Sequence, residues 1–361
     1  MAKLVPYSSL PTNGGSGSFS YQKNSYYQGL AVNVVKDKVE DAIIHKMDVE
    51  RLSSTTTTIN IADLGCAVGP NTFVSMQNIL DCIVRKYRAQ CPNREIPEFS
   101  VFFNDLPEND FNTLFRSLPK ERRYFAAGVP GSFHGRLFPE ASLHFVHCAV
   151  SLHWLSRIPE ELLHEGSATW NKGRVHYTSA PDEVVGAYRA RFAADMENFL
   201  RARAKEVVAG GLMAILTTGI PHGMPHAMLP AGVMYDLLGL ALLEMAQEGV
   251  ITEGQVDSFN LPIYAASPQE MREIVERDGS FSIEAMDLAN PSPWLTGPVN
   301  MQEWTNHVRA AMEPLFAAHF GDQAIVDEIF DRLVRKLVER SREVESSYRE
   351  KIQLYVILRR V

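Results

Sequence analysis

Short apolar runs alternate with longer helical patterns through the middle of the chain. At 143–149 (LHFVHCA) and 211–218 (GLMAILTT) the apolar positions are nearly continuous, which is typical of strands buried on both faces. The segments between such runs have helical periodicity and are therefore predicted to be helices. The predicted order is strand 61–65, helix 71–90, strand 99–104, helix 108–117, strand 124–128, strand 143–149, helix 181–208 and strand 211–218. This order indicates βαβ units, and hence an α/β fold with a parallel sheet and helices on both faces.

The two ends of the chain follow other patterns. Residues 1–18 are rich in Gly, Ser, Pro and Thr, which predicts a flexible arm, and residues 25–52 read as one helix. After Gly219 the pattern changes to helices, at 227–248 and 267–277, which predicts a mostly helical cap over the sheet. The segment 281–361 reads as returning strands at 281–288 and 351–360, with helices 300–319 and 322–346 between them. The predicted domains are therefore the arm 1–18, an α/β core of 19–154, 181–218 and 281–361, and a cap of 155–180 and 219–280.

Charge and hydropathy exclude several classes of partner. The formal net charge is −8, so no basic surface is expected to recruit nucleic acid or anionic lipid. No window approaches the roughly 18 continuous apolar residues of a membrane-spanning helix, and the first residues lack the apolar block of a signal peptide. We expect a soluble cytoplasmic protein with no nucleic-acid or membrane partner.

The stretch NIADLGCAVGPNTF, at 60–73, is an apolar strand that ends in an acid, Asp63, and a glycine turn. Open α/β sheets bind cofactors at this carboxyl edge. The loop lacks the third glycine of a dinucleotide fingerprint and the Gly-Lys-Ser/Thr of a phosphate loop. Taken alone, it fits a plain helix-capping role for Asp63 as well as a ligand site.

A second acid favours the ligand site. Asp105 ends the next long strand (FSVFFND), where a carboxylate accepts both hydroxyls of a ribose in other nucleoside-binding α/β folds. Two carboxylates are poor neighbours for phosphate but suit a cationic, amine-bearing nucleoside. S-adenosylmethionine, which has a sulfonium, an ammonium and no phosphate, is such a ligand.

Five longer motifs carry a resemblance to a known family. They are SYQKNSYYQ at 20–28, ADLGCAVGPNT at 62–72, FFNDLPENDFNTLFRSLP at 102–119, GVPGSFHGRLFP at 128–139 and SLHWLSRIP at 151–159. In these the chain resembles the plant SABATH methyltransferases, which methylate carboxylic acids and, in one branch, purine alkaloid nitrogens. The run from NKGRVHY at 171–177 to ARAKEVVAGGLM at 202–213 looks closest to the loganate and farnesoate branches.

The resemblance implies a Rossmann-like methyltransferase sheet, S-adenosylmethionine as methyl donor and S-adenosylhomocysteine as product. Carried over position by position, the cofactor site comprises Tyr21, Ser25, Asp63, Cys66, Asn71, Asp105, Leu106, Ser132 and Phe133. The residues that bind the acceptor carboxylate in the family correspond to Gln28 and Trp154, each of which has a side-chain N–H donor. A carboxylic acid is ionised at neutral pH, so its methylation requires no general base.

The acceptor pocket departs from the family pattern at two positions. Val150 stands where many members that use salicylate or purines have tyrosine. His153 stands where salicylate-preferring relatives often have methionine and several others, including loganate and jasmonate enzymes, have histidine. Other wall positions that the resemblance implies are Met234, Tyr235 and Tyr264. Each of these three also fits plain core packing.

Two further properties follow from the resemblance. Some members hold a divalent ion near the cap, and the matching positions are Asn171, Asp257, Asn260 and the carbonyl of Phe259. Oxygen ligands of this kind suit Mg²⁺, in a structural role, although the segment equally fits a simple loop closure. The family also forms homodimers.

Three functions remain open on the sequence. The first is a methyltransferase acting on the carboxylate of a small plant-type acid. The second is an N-methyltransferase of xanthines, which the loss of tyrosine at Val150 disfavours. The third is a cofactor-binding module without catalysis, which the presence of Gln28, Trp154, Asp63 and Asp105 disfavours.

Overall fold

The computed structural model describes residues 10–54, 56–291, 293, 297–348 and 351–361. None of the helices in these residues is long and apolar enough to cross a membrane.

The described residues contain one seven-stranded sheet. Its strands are β1 (Thr58–Leu64), β2 (Glu98–Asp105), β3 (Phe125–Pro130), β4 (Leu143–Ala149), β5 (Val207–Thr218), β6 (Phe281–Ala289) and β7 (Gln353–Arg360). Their spatial order is β3-β2-β1-β4-β5-β7-β6. Strands β1 to β5 are parallel, and β7 is antiparallel to both of its neighbours, β5 and β6. The predicted α/β fold is confirmed, with one antiparallel strand near the edge.

Helices surround this sheet. They are α1 (Tyr21–Asn24), α2 (Tyr26–Lys46), α3 (Val49–Ser54), α4 (Pro70–Gln90), α5 (Phe111–Arg116), α6 (Asp182–Glu206), α7 (Pro230–Gln247), α8 (Glu253–Ser258), α9 (Pro268–Asp278), α10 (Met301–Phe320), α11 (Gln323–Glu339) and α12 (Ser341–Ser347). One apolar cluster joins β1, β2 and β3 to α4 on one face of the sheet, and a second joins β4, β5 and β7 to α6 and α9 on the other. Helices therefore cover both faces, as predicted.

A third apolar cluster lies among α7, α8, α10 and α11. It contains Met234 and Leu238 of α7, Phe316 of α10 and Leu333 of α11. The side chains of α10 and α11 thus pack with the predicted cap, although they belong to a segment that the predicted division assigns to the core. The division into core and cap itself stays a prediction.

The prediction of one helix over 25–52 is wrong. The chain leaves α2 at Met47, which is extended (φ −84°, ψ 118°), and α3 begins at Val49. The side chain of Asp48 accepts a hydrogen bond of 3.0 Å from the backbone N–H of Arg51, as an N-cap residue does. The predicted helix 322–346 is also divided, between α11 and α12 at Arg340.

Part of the predicted arm contacts α10. Residues 1–9 lie outside the described residues. The backbone N–H of Asn13 donates to the carbonyl of Ala310 (2.9 Å), and that of Gly15 donates to Asp110 (2.8 Å). The stretch from Leu10 to Thr12 lines the cavity described next.

Candidate active site

A cavity of about 280 Å³ opens where the carboxyl ends of the parallel strands meet α2, α7 and α10. This volume is close to the lower end of the range for small-molecule sites, roughly 300–1,000 Å³. We call two parts of its wall the cofactor half, formed by Tyr21, Asp105, Leu106, Ser132 and Phe133, and the acceptor half, formed by Gln28, Val150, His153, Trp154, Met234 and Tyr235. The structure therefore brings eleven of the sequence-predicted site residues to one cavity.

Asp63, near the end of β1, does not line this cavity. It is buried, and Nδ1 of His147 on β4 lies 2.7 Å from its Oδ1. Its Oδ2 accepts a hydrogen bond from the hydroxyl of Thr72 in the first turn of α4. Both carboxylate oxygens therefore have partners inside the protein. Asp63 joins β1, β4 and α4 directly behind the glycine turn, and its direct contact with a cofactor stays a prediction.

The glycine turn brings β1 close to the loop after β4. Gly65 has φ +77°, and a Cβ atom at this position would lie 2.5 Å from the Cβ of Ser151. Both the left-handed backbone and the close approach therefore require glycine here. Ala67, two residues later, also has a positive φ (50°), and its N–H points at Asp105.

Asp105 lies at the end of β2 in the cavity wall. Its Oδ2 accepts a hydrogen bond from the N–H of Ala67 (2.7 Å) and its Oδ1 accepts one from the N–H of Leu106 (2.8 Å). Burial raises its pKa to about 6, against the effect of these two N–H donors, and the charge of Asp63 acts in the same direction as burial. The carboxylate is held in a fixed orientation and keeps lone pairs for a ligand.

The loop 132–138, which supplies Ser132 and Phe133, is anchored by a buried ion pair of α6. Arg203 and Glu206 are fully buried, with Nε and Oε2 2.7 Å apart. Arg203 also donates to the carbonyls of Phe133 (2.9 Å) and Gly135 (2.8 Å). Glu206 accepts from the N–H groups of Leu137 and Phe138. The backbone of this loop is therefore fixed by side chains that the sequence analysis did not single out.

The remaining predicted cofactor residues lie at and behind the same wall. The phenol of Tyr21 faces the cavity, and burial together with the charges of Asp105 and Asp63 raises its pKa, so it stays a hydrogen-bond donor. Ser25, Cys66 and Asn71 do not line the cavity. Asn71 donates to the carbonyl of Ser25 (2.8 Å) and so joins α4 to the start of α2. Burial raises the pKa of the Cys66 thiol.

Gln28 and Trp154 bring to the acceptor half side-chain N–H groups that have no hydrogen-bond acceptor among the described residues. Gln28 lies on the buried face of α2 with Ala31 and Val35, three and seven residues later. Its Oε1 is buried and has no partner, and its Nε2 bonds to no described residue. Trp154 is held by its backbone, which forms an antiparallel bridge with Ile263. The hydrogen bonds within the described residues leave its indole N–H without an acceptor.

His153 and Val150 lie on the same loop as Trp154. His153 is 8% exposed, and its Nδ1 has no partner. Burial lowers its pKa to about 4, and nearby His307 acts in the same direction, so the imidazole is neutral at pH 7. Val150 has φ +53°, an unfavourable conformation for a β-branched residue. Its N–H donates to the carbonyl of Leu216 at 2.7 Å, which holds the strained loop against β5.

The cap contributes two of its three predicted wall residues. Met234 and Tyr235 of α7 are buried and line the cavity. Tyr264 is not among the described residues that line it, in contrast to the expectation. Its ring packs in the cluster between sheet and α6, and its hydroxyl donates to Glu270 (2.8 Å). The capping side chain of α9 thus draws Tyr264 away from the cavity.

The predicted metal ligands lie together, away from the cavity. Asn171 donates to Oδ1 of Asn260 (2.7 Å), and Asp257 accepts from the N–H of Gly173 (2.8 Å). The buried Oδ1 of Asn171 has no partner and suits a cation, whereas the ring of Phe259 packs against α10. In the described part of the chain no group of three or more His, Cys, Asp or Glu side chains could hold a metal ion. The donor set is therefore limited to one carboxylate with neutral oxygens.

Several cavity residues were missed by the sequence analysis. They include Tyr27, Trp304, His307 and Tyr348. All four lie on or against α10, whose apolar stripe reads as ordinary core. His147 was also missed, although a histidine within the apolar strand LHFVHCA is a buried polar residue that requires a partner.

Known proteins resemble this chain both in sequence and in fold. A family model described as SAM dependent carboxyl methyltransferase matches residues 7–361. Loganic acid O-methyltransferase of Catharanthus roseus is 42% identical over 353 residues, which cover 97% of this chain and 94% of that protein. Farnesoic acid carboxyl-O-methyltransferase of Arabidopsis thaliana is 37% identical over 347 residues, 96% of this chain and 97% of that protein. A solved structure of loganic acid methyltransferase with SAH superposes with a TM-score of 0.93 at 42% identity, covering 97% of this chain and 98% of that one.

Proposed function

We propose that this chain, which belongs to the family of S-adenosylmethionine-dependent carboxyl methyltransferases, methylates the carboxylate of a small plant-type organic acid. The products are the methyl ester and S-adenosylhomocysteine. The proposal rests on one observation above all: two N–H donors without partners, on Gln28 and Trp154, share a cavity with the fixed carboxylate of Asp105. The similarity to loganic acid and farnesoic acid methyltransferases supports a terpenoid or similar acid.

The cofactor half orients the methyl donor. Asp105 accepts the ribose hydroxyls, the ring of Phe133 provides an apolar surface for adenine, and Tyr21 and Leu106 close the wall around them. Ser25, Asp63, Cys66 and Asn71 hold the amino-acid end or support the turn that does so. S-adenosylmethionine supplies an electrophilic methyl carbon on a sulfonium.

The acceptor half positions the nucleophile. Gln28 and Trp154 donate to one carboxylate oxygen, which leaves the other oxygen directed at the methyl carbon. A carbon–oxygen bond forms as the carbon–sulfur bond breaks, and its electron pair returns to sulfur, so no proton moves. The protein then contributes alignment and exclusion of water, which in well-oriented systems lower the barrier by roughly 7–11 kcal/mol.

One assay tests the proposal and its alternatives. Full-length protein is incubated with methyl-labelled S-adenosylmethionine and a panel of free acids and xanthines, and labelled products are then treated with mild base. We expect base-labile label from one or more acids, because methyl esters hydrolyse. Base-stable label from a xanthine would indicate N-methylation instead, and the absence of product from every acceptor would support a binding module.

A metal site is the second part of the proposal. Asn171, Asp257, Asn260 and the carbonyl of Phe259 would hold Mg²⁺ in a structural role, since methyl transfer to a carboxylate needs no Lewis acid. In the same assay, EDTA is therefore expected to leave the initial rate unchanged. The homodimer belongs to this proposal and rests on the family resemblance, and the cytoplasmic location is kept as the expectation drawn from the sequence.

A further inference from the structure

One face of α10 forms a long wall of the cavity. Trp304, Val308, Ala311, Met312 and Leu315 follow a spacing of three and four residues and all line it. Such spacing places side chains on one face of a helix. The stripe is almost wholly apolar.

His307 interrupts this apolar stripe. It lines the cavity, and its ring centroid lies 5.5 Å from that of Tyr27. Its Nδ1 lies 3.3 Å from the backbone carbonyl oxygen of Asn24. Because a carbonyl only accepts, Nδ1 carries the proton and donates. Burial lowers the pKa of His307 to about 4, so the ring is neutral at pH 7.

The tautomer fixes the chemistry of the other ring nitrogen. In a neutral imidazole whose Nδ1 carries the proton, Nε2 is a hydrogen-bond acceptor. Nε2 of His307 bonds to no described residue. His307 lies near enough to His153 to lower the pKa of the His153 ring, and His153 offers the second orphaned nitrogen, its buried Nδ1. The cavity wall thus contains two neutral imidazoles with unused hydrogen-bonding capacity.

An acceptor nitrogen selects for a donor on the ligand. A carbonyl or a second carboxylate would place acceptor against acceptor at His307. An ammonium would need a counter-charge, and among the described residues that line the cavity the one carboxylate is Asp105, in the cofactor half. A hydroxyl group donates without a charge and fits an otherwise apolar wall.

We infer that the acid methylated by this enzyme carries a hydroxyl group, that this hydroxyl donates to Nε2 of His307, and that His153 contributes a second hydrogen bond. This inference rests on the proposed carboxyl methylation and narrows its substrate class to hydroxylated acids. His307 is then a specificity-determining residue, whereas the reacting carboxylate stays with Gln28 and Trp154.

The test compares acids that differ by one hydroxyl. Suitable pairs are 3-hydroxycinnamate with cinnamate, 4-hydroxycyclohexanecarboxylate with cyclohexanecarboxylate, and a hydroxylated monoterpenoid acid with its deoxy analogue. For at least one pair we expect the wild-type protein to favour the hydroxylated acid by about 10- to 100-fold in kcat/KM, because a site built to bind a hydroxyl discriminates against ligands that lack it.

Variants assign the preference to His307. In His307→Leu the ratio should fall to about one, mainly through lost activity on the hydroxylated acid, and His307→Gln should restore part of it through its amide oxygen. Gln302→Leu, at an exposed position of the same helix that does not line the cavity, is the matched control and should keep the wild-type ratio. Binding of S-adenosylhomocysteine and the melting temperature show that each variant is folded.

The outcomes separate this inference from the proposed function. Esters formed with equal efficiency from both members of every pair would overturn the hydroxyl inference and leave carboxyl methylation intact. A preference that survives in His307→Leu would overturn the role of His307. No ester from any acid would overturn the proposed function, and this inference with it.

Discussion

The two halves of the cavity differ in how their polar atoms are satisfied. In the cofactor half, both oxygens of Asp105 accept backbone N–H groups, and Arg203 and Glu206 fix the loop beside it with hydrogen bonds of 2.6 to 3.0 Å. In the acceptor half, Oε1 of Gln28 and Nδ1 of His153 are buried without a partner. Most buried polar groups in proteins are paired, so the exceptions require an explanation.

The difference indicates two kinds of recognition. A paired half keeps its geometry before any ligand arrives, which favours tight positioning of one constant ligand. An unpaired half is completed by its ligand, and the polar groups of that ligand decide how well it is completed. A single substitution in the acceptor half should therefore change which acid reacts, whereas a substitution in the support of the cofactor half should change binding of the donor or the stability of the fold.

The largest effect is expected from a substitution that disrupts the acceptor half alone. Trp154→Ala removes the indole N–H and the ring beside the reacting carboxylate. We expect kcat/KM for the preferred acid to fall at least about 100-fold, because loss of near-attack geometry costs about this much. Binding of S-adenosylhomocysteine, measured by calorimetry, should stay close to wild type.

Trp154→Phe is the matched variant, since it keeps an aromatic ring and removes the N–H. Activity between those of wild type and Trp154→Ala would separate the donor from the ring. If Trp154→Ala retains wild-type turnover, the acceptor site is placed wrongly.

The next effect acts on the support of the cofactor half. Arg203→Met leaves the buried carboxylate of Glu206 unpaired and removes two hydrogen bonds to loop 132–138. Breaking such a pair is expected to lower the free energy of unfolding by about 3–5 kcal/mol. Urea denaturation measures this loss. Binding of S-adenosylhomocysteine should weaken as well, because the loop that carries Ser132 and Phe133 is released.

Arg201→Met provides the control for this helix, since Arg201 is exposed and bonds to Asn198. We expect it to change the free energy of unfolding by less than about 0.5 kcal/mol. Arg203→Met combined with Glu206→Gln should recover part of the loss, because the amide oxygen still accepts from loop 132–138 and no charge is left buried. Equal stability of Arg203→Met and wild type would show that the pair does not hold the loop.

Much of the fold was predictable from local patterns. Strand 143–149 was predicted with the bounds that the structure gives it. The reason is that strands of a parallel sheet are buried on both faces and so appear as continuous apolar runs. The single helix over 25–52 was wrong because periodicity outweighed a capping signal, Asp48 before Arg51. The packing of α10 against α7 was not predicted, because an apolar stripe does not reveal its partner.

Some residues of the candidate site were likewise predictable from the sequence, and others were not. Two predicted ligand-binding residues line the cavity: Asp105, which the end of its strand indicated, and Trp154, which the resemblance indicated. Arg203 holds loop 132–138 and His147 contacts Asp63. These supporting contacts join residues that are distant in sequence, so they become recognisable only when the sheet is assembled. His307 was missed for the same reason, since a lone histidine on an apolar helix face is usually a core residue.

The smallest expected effect is a pH dependence that only the cofactor half should show. Asp105 must be ionised to accept hydrogen bonds from two ribose hydroxyls, and burial raises its pKa to about 6. The dissociation constant of S-adenosylhomocysteine should therefore rise as the pH falls below 6, approaching about tenfold per pH unit. Calorimetry between pH 5 and pH 7.5 measures this dependence. The pKa values of His153 and His307 are lowered to about 4, so these groups do not titrate in this window.

Stability should change in the opposite direction, mainly between about pH 4 and about pH 6. Because the folded-state pKa of Asp105 is raised above the ordinary value of about 4, the folded protein holds this proton more tightly than the unfolded chain. Ionisation of Asp105 therefore lowers the free energy of unfolding as the pH rises towards 6. Asp105→Asn should remove both trends, whereas Asp110→Asn, whose carboxyl pKa is lowered by its bonds to Thr113, should preserve them. Unchanged pH dependence of binding in Asp105→Asn would mean that another group, outside the cofactor half, holds the ribose.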